Sequence, residues 1–190
     1  MERGSDVFNV VYVGKFDGNI SHEVEPDGLQ AGDTVTARLD WERRHILMRY
    51  HTAAHVLSGV FFHNSTAKIT GNNIDVEAGR IDFNIESFDR ELIEDYVKKS
   101  NALIGEDLPV VAYNITRSEM DDDPGLLKLA SGLPPEITDV RIIDIKGFDR
   151  QPDGGCHVSS LAEIGKINLG KIVNKGKNNR RLYFTLTKEI

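Results

Sequence analysis

Two helical stretches stand among a larger number of short β-rich segments, with no regular β–α–β alternation. That mixture confines the chain to the α+β class. Ile46 to Phe62 is dense in apolar residues, lacks proline and has one weak point, Gly59. It predicts the first helix. Ser87 to Ile104 predicts the second, with Ser87 as N-cap, Asp89 and Glu91 in the anion-favouring first turn, and Gly105 as the stop. Phe88, Leu92, Ile93, Tyr96 and Val97 form its apolar face. Strands are expected over Val7–Val13 (broken at Gly14), Thr34–Trp41, Pro109–Ile115 and Val140–Ile145. Pairs of strands are expected around Ala78-Gly79 and around 174–177. Residues 1–44 thus read as a small β unit, too short to hold a large core.

The 190 residues include one cysteine, Cys156, so no intrachain disulfide is available. No apolar run approaches the roughly 18 residues of a membrane span, and no signal peptide opens the chain. The expected compartment is the reducing cytoplasm. The net charge of −7 argues against a polyanion partner. Its distribution argues the other way. From Gly165 to Lys188 stand seven basic residues and no acid, so that stretch carries +7 and the rest −7 − 7 = −14. Lys171, Lys175, Lys177, Arg180 and Arg181 are the candidate phosphate contacts, unless this is only a solvated strand-turn-strand. The acidic run Asp121-Asp122-Asp123 reads as a solvated loop.

His51-Thr52-Ala53-Ala54-His55 places two imidazoles one helical turn apart on one face. Such a pair binds a divalent ion in zinc proteases, but those need Glu directly after the first His, and Thr52 stands there. The plainer alternative is two partly buried, hydrogen-bonded histidines. A second cluster, Asp153-Gly154-Gly155-Cys156-His157, sets Asp, Cys and His around two flexible glycines. Three of the chain's six histidines fall in these two motifs, which favours one shared site.

Several segments in order carry a family resemblance: Leu39-Asp40-Trp41-Glu42-Arg43-Arg44, Met48 to His55, Val140 to Ile145, Asp153 to Val158, and Glu163-Ile164-Gly165. Together they resemble the editing domain of alanyl-tRNA synthetases, and more closely its free-standing AlaX relatives, from about Gly32 to near the C-terminus. The resemblance implies a zinc-dependent deacylase acting on tRNA(Ala) mischarged with serine or, in some members, glycine. It implies one Zn2+ per chain and the acceptor end of tRNA(Ala) as partner. It also implies a two-layer editing domain of the threonyl/alanyl-tRNA synthetase second-additional-domain type over 45–190, behind a small β-barrel-like unit over 1–44.

Carried over by residue, His51, His55 and His157 become zinc ligands. The family's Cys-x-x-x-His motif puts Asp153 where cysteine usually stands, and Cys156 where threonine does. Register favours Asp153 as fourth ligand; zinc's affinity for thiolate favours Cys156. Thr52 and Cys156 are candidate pocket or catalytic residues, and Glu163 is a candidate partner for a ligand histidine. Medium-length members usually carry a glycine-rich stretch ahead of the β unit. Here Met1 opens without it, so either the natural chain is longer or this member lacks that element. Two further readings compete: a tRNA-binding module of the same fold with weak or no activity, and a metallopeptidase.

Overall fold

The computed structural model describes residues 1–86 and 89–187. The chain divides into a unit spanning Met1–Trp41 and another spanning Glu42–Ile190. The expected division lay at 44/45.

The first unit consists of two small antiparallel sheets. β1 (Glu2–Arg3) pairs with β2 (Asp6–Val7), and β3 (Asn9–Phe16) pairs with β4 (Asn19–Glu25). Asp17 and Gly18 connect β3 to β4 with positive φ at both positions, the conformation a two-residue hairpin loop requires. The β unit is not closed, so the barrel-like expectation is corrected to two separate two-stranded sheets. The expected strand Thr34–Trp41 is also absent; a single bridge joins Thr36 to Glu2. Phe8 is this unit's one buried hydrophobic side chain among the described residues. Ion pairs of Arg3 with Asp33 (2.7 Å) and Arg38 with Glu2 (2.6 Å) tie its loops at the surface.

The larger unit is built on α1 (Trp41–Ser65), which starts five residues before the expected Ile46. From Arg49 to Phe61 nearly every side chain is buried. A helix that is apolar around most of its circumference must be enclosed on several sides. β5 (Ile69–Ile74) and β6 (Gly79–Phe83) form the expected hairpin. α2 (Arg90–Ile104) is capped by Asp89, whose carboxylate accepts the Glu91 and Leu92 N–H groups. Ser87 and Phe88 lie outside the described residues. Gly105 follows α2 as expected, with right-handed φ of −66°. Then come β7 (Val110–Thr116), α3 (Arg117–Asp121), β8 (Asp139–Ile145), β9 (Asp149–Pro152), β10 (Ile167–Asn174) and β11 (Arg180–Leu186).

Two antiparallel sheets result, ordered β10-β11-β6-β5 and β7-β8-β9. Phe61 of α1 stacks on Phe83 of β6 at 4.4 Å and meets Tyr96 of α2 edge-on at 4.9 Å. Strand β8 is buried on both faces: Ile143 and Ile145 join the main core, while Val140 and Ile142 join a smaller one with Met120 and Leu126. The two-residue side-chain alternation of a strand divides them this way. Among the described residues no helix is long and apolar enough to cross a membrane.

Candidate metal centre

The middle of α1 faces the loop after β9, and there the two histidine motifs meet. His51 Nε2 and His55 Nε2 lie 3.3 and 3.7 Å from Asp153 Oδ2. His157 Nε2 lies 3.3 Å from Asp153 Oδ1. The rings of His51 and His157 stack at 4.2 Å, and His55 stands edge-on to both. One ligand atom from each of the four residues falls within 4.8 Å of all the others. A tetrahedral zinc with bonds of about 2.1 Å needs donor separations of roughly 3.4 Å, so modest contraction suffices.

The charges suit a cation as well. Burial lowers the His55 pKa and pushes that of His157 down to about 4, so both imidazoles are neutral at pH 7. Burial acts to raise the Asp153 pKa, but hydrogen bonds to His157, His51 and His55 outweigh it and keep the carboxyl ionised. With its proton on Nδ1, a neutral imidazole exchanges its hydrogen bond to Asp153 for a lone pair directed at the centre, as the carboxylate presents its own. A cation at their centre satisfies all four.

The loop is held by its backbone. Arg141 donates one nitrogen to the carbonyls of Asp153 (2.9 Å) and Gly155 (2.8 Å), and Asp153 N–H donates to Arg141 O (3.0 Å). Gly155 N–H donates to Asp153 Oδ1 at 2.5 Å. A Cβ at Gly155 would collide with the His51 ring and with Asp153 Oδ1, so glycine is required there by space. Behind His55, buried Gln151 donates to its carbonyl (3.2 Å) and to Asp149 Oδ2 (2.6 Å), and its Oε1 accepts from Ser58 Oγ (2.9 Å). Asp149 pairs in turn with buried Lys128 at 2.7 Å. The residue types alone gave no sign of this Gln151–Asp149–Lys128 support.

Several expected site residues stand elsewhere. Cys156 is exposed, takes a contact from Arg44 Nη1 at 3.3 Å and is not in the group of four. Thr52 is fully buried and touches His157. Neither lines the cavity of about 110 Å³ that adjoins His51, His55 and Asp153. That cavity is bounded by Asn72, Asn73, Arg80 and Ile81 among others. Among the described residues, Glu163 contacts His45 rather than His51, His55 or His157. Its carboxylate accepts from Ser159 and Ser160, completing a capping box on the short helix Leu161–Ile164, and its other oxygen lies 3.0 Å from His45. The signal was present as Ser160-x-x-Glu163, the spacing of a capping box.

The basic stretch is split by the fold. Lys171, Lys175 and Lys177 are exposed on the β10–β11 hairpin. Arg180 is buried, and its guanidinium binds Asn174 Oδ1 and the carbonyls of Gly176, Asn179 and Glu86. It is corrected from a phosphate contact to the organiser of that turn. Arg181 forms a two-nitrogen pair with Asp82, at 2.8 and 2.7 Å.

The family model of the threonyl and alanyl tRNA synthetase second additional domain matches residues 140–183. The alanyl-tRNA editing protein AlaX-M of Methanosarcina acetivorans is 44% identical over 186 residues, covering 94% of this chain and 76% of that protein. The AlaX-M of Methanosarcina mazei is 43% identical over 192 residues, covering 97% and 76%. The alanine–tRNA ligase of Methanococcus maripaludis is 34% identical over 163 residues, which are 84% of this chain and 18% of the ligase.

Proposed function

Because the chain belongs to the free-standing AlaX family of alanyl-tRNA editing proteins, we propose that it hydrolyses the ester of mischarged tRNA(Ala), chiefly Ser-tRNA(Ala) and also Gly-tRNA(Ala), at a zinc site made by His51, His55, His157 and Asp153. The observation that carries this reading is the convergence of four lone-pair donors beside a small cavity of mixed polar and apolar lining. Bound there, zinc supplies Lewis acidity for the water or the ester carbonyl, or an anchor for the substrate's amino group or ribose end.

The chain's own residues supply the rest. A cavity of about 110 Å³ suits a small amino-acid side chain. Asn72 and Asn73 stand in its lining, and a side-chain amide turned into it would offer a hydrogen bond to a serine hydroxyl. Once a bound substrate shields such a group from water, a seryl ester pairs with it and an alanyl ester does not, which favours removal of serine over the cognate residue. Gln151 reaches the same lining but is committed to Ser58, Asp149 and the His55 carbonyl, so it holds the wall. Lys171, Lys175 and Lys177 offer phosphate contacts to the acceptor stem. The cytoplasm, where tRNA is charged, is the compartment this activity requires.

The test is release of serine from Ser-tRNA(Ala), before and after chelation and zinc restoration. Loss and recovery of release is the expected result. A metal-replete protein that binds the tRNA without releasing serine would establish the binding-module reading. Release that ignores metal removal would overturn the zinc assignment. An anomalous-scattering map at the zinc edge reports the ligands directly.

A further inference from the structure

Thr52 Oγ1 lies 3.0 Å from Met48 O, 3.2 Å from Val158 N and 3.1 Å from His157 Nδ1. A hydroxyl has one proton and two lone pairs. The Val158 N–H takes one lone pair. The Met48 carbonyl carries no hydrogen, so the hydroxyl proton goes to it. With the proton placed there, the contact with His157 uses a hydrogen that belongs to the imidazole Nδ1.

We propose that Thr52 is a positioning residue that fixes His157 as the Nδ1–H tautomer and so turns the bare Nε2 toward the donor cluster. His157 Nε2 points at Asp153 Oδ1, 3.3 Å away, where a hydrogen on Nε2 would occupy the place of a cation. Thr52 is fully buried, so water does not compete for these bonds. Partners of this kind orient a ligand imidazole and raise its basicity. The i−4 carbonyl bond makes the hydroxyl direction a property of α1 itself, and α1 also carries His51 and His55. The helix that carries His51 and His55 thus reaches His157 as well, through Thr52.

This inference rests on the cation reading of the site, and its two measurements separate the pair. The first is two-bond ¹⁵N–¹H correlation on histidine-labelled, zinc-loaded wild-type protein at pH 7. The expected result is His157 protonated at Nδ1; protonation at Nε2 overturns the inference. The second is zinc affinity by competition with a chromogenic chelator. Thr52→Val keeps the shape and loses the oxygen, and is expected to bind zinc about 10–100-fold more weakly, whereas Thr52→Ser stays within about threefold of wild type. Wild-type binding with an unchanged Thr52→Val affinity would overturn the role of Thr52 alone. Failure of the wild type to bind zinc would overturn the cation reading and this inference with it.

Discussion

Asp149→Asn removes a charge and keeps the volume of the side chain. Asp149 and Lys128 side chains are 4% and 2% exposed, with Nζ 2.7 Å from Oδ1. In the variant the ammonium keeps the carbonyls of Gly125 (2.7 Å) and Arg150 (3.1 Å) and the face of Phe62 at 5.0 Å, but has no counter-charge at contact distance from position 149. Removing one member of a buried ion pair costs about 3–5 kcal/mol. The retained carbonyls place this case near the lower end, about 3 kcal/mol. In a chain of this size each kcal/mol moves Tm by about 2–4 °C, so the expected drop is about 6–12 °C. Thermal melts and urea titrations followed by circular dichroism measure it. The double variant Asp149→Leu/Lys128→Met removes both charges and is expected to recover most of the loss. A drop below about 1 kcal/mol for Asp149→Asn, or a double variant that merely sums the single losses, would refute the argument.

Three other outcomes are expected. The His157 pKa lies at about 4 when folded against an ordinary value of 6.5, so between those values the unfolded chain binds the extra proton. Stability of the metal-free protein should therefore fall as pH drops from 6.5 toward 4, by at most about 3 kcal/mol from this group, and urea titrations across that range should show a shallower slope in His157→Phe, the remainder coming from His55, whose pKa burial also lowers. Gly155→Ala should weaken zinc binding in a chelator competition, whereas Gly154→Ala, whose Cβ would meet open space, should not. Lys175→Glu/Lys177→Glu should raise the apparent KM for charged tRNA and flatten its salt dependence without moving Tm, whereas Arg180→Glu should lower Tm.

Periodicity finds the central helix because burial on several sides leaves a dense apolar run. It misplaces the start because Trp41-Glu42-Arg43-Arg44 has no apolar face to read. A strand ended by Gly14 overlooks Asp17-Gly18, a stronger hairpin signal three residues on. At the site, helical spacing supplies His51 and His55, while the family register supplies His157 and Asp153; no local pattern brings the loop to the helix. Glu163 and Arg180 mislead for a shared reason. A charged side chain looks the same in sequence whether it faces solvent or ties down backbone, and these two cap a short helix and fill a turn. Thr52 at i+1 from His51 points away from the cluster, as a regular helix dictates, and for that reason it meets His157 from behind.

The converging group is made of nitrogen and oxygen, and the chain's single thiol stands apart from it, facing Arg44. Peroxide that carries Cys156 to a sulfenic or sulfinic acid therefore modifies no member of the quartet. A thiolate-ligated centre would lose a donor under the same exposure. With a carboxylate at position 153, the quartet holds no sulfur for an oxidant to attack.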